Sequence, residues 1–200
     1  MYAGLFGAVF LMAQFLQIGL GDSPLGAGLR LLPWTATPMI VAPIAGVLAD
    51  RYGNRPFMVL GLSLQAIGLG WVASIAGEHV TYAELGVALT IAGVGTSFCF
   101  PTVANAVLGS VPLEEAGVAS GTNSSFRELG GVFGVAVLAA VFTHRGVYSS
   151  SQAFFDNFGT AIWVAAAFSA LGIVAALLSP GRGTSSQPVE RPALAYAADD

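Results

Sequence analysis

Polar and apolar positions along this chain separate into long apolar runs and short polar intervals, without the alternation that would leave each helix a wet face. A helix that crosses a bilayer needs about 20 mostly apolar residues. Six segments meet that requirement, at about residues 3–20, 26–49, 57–77, 84–109, 115–142 and 159–178, lettered a to f. The intervals carry the turn and charge signals: Asp22-Ser-Pro, Asp50 to Pro56, Gly77-Glu-His, Val111-Pro-Leu-Glu-Glu, and His144 to Asn157. The expected organisation is a six-helix transmembrane bundle over 1–178. Residues 179–200, rich in Pro, Ser, Ala and charge, are expected to form a disordered tail.

Composition removes the alternatives. Hydrophobic residues make up 55% and charged residues 9%, where a soluble domain carries roughly a quarter of its residues as charges. Mean hydropathy is +0.75. The fold class expected is therefore all-α and integral to the membrane, with the lipid bilayer as its first partner. The first apolar run begins beside Met1 with no positive lead-in and is too long for a signal-peptide core, so it reads as a span. A chain that starts inside its first span is expected to lack an upstream portion.

The seven basic residues are all Arg and form no basic stripe, so no nucleic-acid partner is expected. A single cysteine, Cys99, and two histidines in connections offer no metal set, and no cofactor is expected.

Charge inside the interval "GVLADRYGNRP" (46–56) decides its place. Each Asp or Arg costs roughly 2.5–3.5 kcal/mol at the centre of a span, so Asp50, Arg51 and Arg55 together would cost on the order of 8–10 kcal/mol. The interval must lie at the water interface. If it is cytoplasmic, the inner basic residues are Arg51, Arg55, Arg127, Arg182 and Arg191, and the outer ones only Arg30 and Arg145. That asymmetry predicts both termini inside.

Segment e is the least lipid-like span. Steps of three and four place Gly117, Gly121, Ser124, Arg127 and Glu128, Gly131 and Gly134 on one face. The pairs Gly117/Gly121 and Gly130/Gly134 have the small-xxx-small spacing of close helix packing. Arg127 is a functional candidate, because a charge in a span faces protein or water. Segment d carries Thr102 and Asn105, segment a carries Gln14 and Gln17, and segment c carries Gln65. For any one polar residue the plain reading is helix-to-helix hydrogen bonding, and lining a substrate path is the alternative. Segment b holds Pro33, Pro38 and Pro43, which mark kinks. No Asp or Glu falls in the middle of a span, so a proton relay built from this chain alone is not expected. Nor is an enzyme: no nucleophile elbow, phosphate loop or dinucleotide fingerprint is present.

The spacing of Gly46, Asp50, Arg51, Gly53 and Arg55 resembles the Gly-x-Leu-Ala-Asp-Arg-x-Gly-x-Arg loop of the major facilitator superfamily. Asn54 and Pro56 depart from it, at positions where basic residues are common. "SPLGAGLRLLPW" (23–34) and "VPLEEAGVASGTNSSFRELGGVFGVAVLAAVF" (111–142) are similar to the carboxy-terminal half of fourteen-helix drug:proton antiporters of the EmrB/QacA type.

The resemblance implies one six-helix half-bundle of a proton-coupled multidrug efflux permease working by alternating access in a plasma membrane. In it Asp50 would latch the cytoplasmic gate against a helix of the other half, with Arg51 and Arg55 in support and Gly46 and Gly53 allowing close packing and a tight turn. Segments a, b, d and e would face the cavity, with Gln14, Gln17, Thr102, Asn105, Asn123 and Arg127 as lining residues. The partners implied are the missing amino-terminal half-bundle or a second copy, a small lipophilic substrate, and protons. A non-transporting half-size assembly or regulatory subunit is the second reading.

Overall fold

A computed structural model describes residues 1–144 and 150–178, and among them the secondary structure is helical throughout. The tail 179–200 and the Arg145 connection lie outside the described residues. Helix α1 (Tyr2–Gln14) runs on into a π-helical turn, Phe15–Gly19. Then come α2 (Pro24–Thr35), α3 (Thr37–Tyr52), α4 (Asn54–Ile75) and α5 (Tyr82–Leu108). A short 3-10 turn, Leu113–Glu115, leads into α6 (Ala116–Thr143), and α7 spans Ser151–Leu178. Six of the resulting helical stretches are long and apolar enough to cross a membrane, with α2 and α3 together forming the second.

That second span is broken at Ala36 for a covalent reason. Pro38 has no N–H to return to the carbonyl of Trp34, four residues back. The Ala36 N–H still donates to Leu32 at 2.8 Å, but the Met39 N–H turns back to Ala36 at 3.0 Å, tightening the turn. The hydroxyl of Thr37 donates to the Pro33 carbonyl. The freed Trp34 carbonyl points at Gly93 of α5, where a Cβ would lie 2.8 Å from it. Glycine there lets α5 approach the break.

Close backbone crossings elsewhere also rest on glycine, as expected where lipid is as apolar as leucine and packing must come from contact. Gly61 of α4 and Gly95 of α5 face each other, a Cβ on Gly61 falling 2.6 Å from the Gly95 carbonyl. Two turns further along α4, Gly68 meets the Ala92 backbone. At the α1–α6 crossing Gly7 meets Gly134, and Gly134 in turn lies against the backbone of Ala3.

Helix α7 begins at Ser151, earlier than the predicted 159–178. The extra turns are held by packing. Phe154, Phe155 and Phe158 are buried, Phe158 stacks on Phe15 at 4.4 Å, and Phe154 meets Phe142 edge-on at 5.3 Å. A Ser150 hydroxyl caps the helix start by accepting from the Ala153 N–H.

Candidate gate and cavity surfaces

The interval 46–56 is almost entirely helical. Helix α3 continues through Asp50 and Arg51 to Tyr52, α4 begins at Asn54, and the reversal falls on Gly53 alone. Gly53 has φ 92°, a conformation that side-chain-bearing residues rarely adopt. Gly46, two turns earlier, faces Pro101 of α5 at ordinary van der Waals distance.

Asp50 is exposed in the last turn of α3, where the helix dipole disfavours a carboxylate. Its Oδ1 accepts a hydrogen bond from Nδ2 of Asn105, on α5, at 3.2 Å. Two of the sequence candidates, assigned there to different roles, are thus brought together. Arg51 is also exposed, with its guanidinium 5.5 Å from the ring centroid of its neighbour Tyr52. Among the described residues neither Arg51 nor Arg55 forms an ion pair.

Helix α6 has two unlike halves. Its buried residues are Gly131, Gly134, Leu138 and Phe142, all in the second half. In the first half, a Cβ on Gly117 or Gly121 would meet nothing within 4 Å. Gly130 makes only an ordinary contact with Tyr2. Val118, Phe126 and Leu129 are exposed on the same stretch as Asn123 and Arg127. The Arg127 guanidinium pairs with the adjacent Glu128 at 3.2 Å, both groups open to the outside.

The remaining candidates do not join these. Gln14 is half-buried at the end of α1 and Gln17 is exposed in the π-turn. α1 runs parallel to α6, with Tyr2 beside Gly130 and Gly7 beside Gly134 and Leu138. Gln14 is therefore separated from the level of Arg127 by most of the membrane thickness, about 20 Å at 1.5 Å per residue. Thr102 is wholly buried, with its hydroxyl donating to the Phe98 carbonyl at 2.7 Å and the Cys99 carbonyl at 3.2 Å.

The opposite end of the bundle holds a cluster that no spacing signal announced. Arg30, nearly two turns into α2, pairs through Nη1 with Asp22 Oδ2 at 2.9 Å. Its guanidinium lies 5.6 Å from the Tyr82 ring centroid at the start of α5. The π-turn shapes this corner: the Asp22 N–H reaches back to the Leu16 carbonyl, and Gly21 takes φ 73°. The pair joins residues across a reversal, so helical periodicity does not reveal it.

A family model described as Major Facilitator Superfamily matches residues 1–197. The chain is 36% identical over 140 residues to the multidrug resistance protein Stp of Mycobacterium tuberculosis, covering 70% of this chain and 26% of Stp. It is 36% identical over 143 residues to the multidrug efflux pump LfrA of Mycolicibacterium smegmatis, covering 70% of this chain and 28% of LfrA. With the tetracenomycin C resistance and export protein of Streptomyces glaucescens the identity is 31% over 144 residues, again 70% of this chain and 26% of the other. The aligned stretch spans about a quarter of the length of these relatives.

Proposed function

The chain belongs to the major facilitator superfamily, and from that premise we propose that it is the carboxy-terminal six-helix half of a proton-coupled efflux permease of the EmrB/QacA type, exporting small lipophilic compounds by alternating access. It is a multi-pass membrane transporter chain, not an enzyme.

The observation that carries the reading is the first half of α6. A helix with no buried residue before Gly131 leaves Asn123 and Arg127 partly exposed; these need a protein or water-filled surface, while Val118, Phe126 and Leu129 beside them can meet protein or lipid alike. Gly117 and Gly121 leave room for a backbone to approach it. The partner proposed is the amino-terminal half-bundle, or a second copy acting in its place. The cavity lies between the two halves, with Asn123 and Arg127 lining its cytoplasmic end, Gln14 and Gln17 its far end about 20 Å away, and Asn105 at the Asp50 contact.

In this reading Asp50 is the latch acid of a cytoplasmic gate, with both termini on the cytoplasmic side of the plasma membrane. Asn105 holds one carboxylate oxygen, which leaves the other for the positive end of a helix in the opposite half. Such a contact is worth roughly 0.3–1 kcal/mol and can be made and broken within a transport cycle. Arg51 and Arg55 flank it.

The test is efflux of ethidium from cells expressing the complete transporter that carries this chain. Asp50→Asn keeps a partner for Asn105 but removes the charge, and Arg127→Gln removes the cation of α6. Both are expected to lower efflux at unchanged protein level. Undiminished efflux with Asp50→Asn would remove the latch role, and undiminished efflux with both would remove the gate and cavity assignments together.

A further inference from the structure

We propose that the groove between α2 and α5 beside Arg30 is a phospholipid site, in which Arg30 binds the phosphate and the groove takes an acyl chain. The groove has a volume of about 390 Å³ and is walled by Pro33 of α2 and by Tyr82, Gly86, Val87 and Thr90 of α5. Of the two hydroxyl-bearing residues that wall it, Thr90 is satisfied by donating to the Gly86 carbonyl at 2.7 Å, and Tyr82 stands at the headgroup end. What remains is a shallow apolar groove, open on its outer side. From Tyr82 to Thr90 it descends about 12 Å along α5, a depth within one leaflet.

Tyr82 joins the groove to the charge. Its ring forms one end of the groove and also lies under the Arg30 guanidinium, 5.6 Å away. Helix α5 starts at Tyr82 and α2 starts less than two turns before Arg30, so the ring and the guanidinium lie near the level where Tyr and Arg meet headgroups. Asp22 engages Nη1 of Arg30, and among the described residues Arg30 makes no other polar contact with a side chain or backbone. A guanidinium has five N–H donors in a planar fork, so a phosphate diester can be bound without breaking the Asp22 pair. The Arg30 side chain is 38% exposed, enough to be reached, while that of Asp22 is 16% exposed and turned inward. The other nearby acid, Glu84, is held by the Thr81 hydroxyl at 2.7 Å.

This combination separates the groove from ordinary lipid-facing surface: a fixed cation at the mouth, an apolar wall below it, and one residue shared by both. It requires the bilayer but not the second half-bundle.

The site is tested by native mass spectrometry of the purified chain in dodecylmaltoside, titrated with dioleoylphosphatidylglycerol or with dioleoylglycerol, which has the same chains and no phosphate. One molecule of the phospholipid is expected to remain bound at concentrations where dioleoylglycerol does not. A Cβ at Gly86 would meet nothing within 4 Å, so Gly86→Phe fills the groove without straining the fold. It is expected to weaken phospholipid binding about tenfold, the effect of about 1.4 kcal/mol. Arg30→Gln is expected to bring phospholipid and dioleoylglycerol to the same affinity. Gly28→Phe, an equally unobstructed change on α2, is the control and is expected to bind as the parent does.

Equal binding of the two lipids by the parent chain overturns the phosphate role. Unchanged phospholipid binding by Gly86→Phe, or equal losses in Gly86→Phe and Gly28→Phe, overturns the groove. If Arg30→Gln does not fold, the two-lipid comparison on the parent and on Gly86→Phe decides both points.

Discussion

Asn105 on α5 donates its amide to the carboxylate of Asp50 on α3 at 3.2 Å, across 55 residues of sequence. The contact fixes the rotation of α3 against α5 at the end where the chain reverses on Gly53. It also offsets the unfavourable placement of a carboxylate at a helix C-terminus. A double-mutant cycle of Asp50→Ala and Asn105→Ala, read by denaturant unfolding in micelles, is expected to give a coupling energy of about 0.5–1 kcal/mol, below the usual range for a hydrogen bond to a charged group because the pair is exposed. A coupling of zero would mean that the two side chains do not hold each other.

The glycines of the α4–α5 crossing and those of the α6 arm should respond in opposite ways. A Cβ at Gly61 would fall 2.6 Å from the Gly95 carbonyl and 2.7 Å from the Cys99 sulfur. Gly61→Ala is therefore expected to destabilise the chain by about 1–3 kcal/mol through forced helix separation. Gly117→Ala and Gly121→Ala enter open space and are expected to be neutral or to stabilise by up to about 1 kcal/mol through helix propensity. Unfolding midpoints of the three variants check this. In the complete transporter, loss of efflux from the two α6 variants would locate a packed partner there.

Gln65 is wholly buried on α4, and neither its amide nitrogen nor its oxygen has a protein partner among the described residues. Leucine has similar bulk and no polar atoms to leave unpaired. Gln65→Leu is expected to stabilise the chain by about 1–2 kcal/mol, seen as a higher unfolding midpoint. A lower midpoint would show instead that the amide is satisfied by an internal water whose bonds the substitution removes.

Cys99 has no exposed surface and lies between α4 and α5, its Sγ 3.9 Å from the Met58 carbonyl. A water-soluble maleimide is expected to label it at least about 100-fold more slowly than the same thiol in the unfolded chain, because labelling must wait for the helices to part. Rapid labelling of the folded chain would mean that the α4–α5 crossing opens readily.

Hydropathy and charge placement alone marked six apolar runs and the polar interval that carries Asp50, Arg51 and Arg55, because the cost of an ion in hydrocarbon is local and large. The loop spacing from Gly46 to Arg55 also carried the family. The prolines of segment b announced a kink, though not that it would fall on Ala36. The tertiary structure decided what depends on the rotation of each helix about its own axis. Spans that are apolar on every side give periodicity little to fix that rotation. Sequence spacing offered Gly130/Gly134 and Gly117/Gly121 as equivalent packing pairs, yet Gly134 lies against Ala3 while Gly117 and Gly121 face open space. Gly61 and Gly95 carried no signal that they would meet, and Gln65 none that it would be sealed in. Nor did spacing pair Arg30 with Asp22 and Tyr82, or Asn105 with Asp50. Each of these contacts joins different helices or crosses a reversal, and its partner is chosen by how close two backbones can come, a quantity set by packing rather than by any window of sequence.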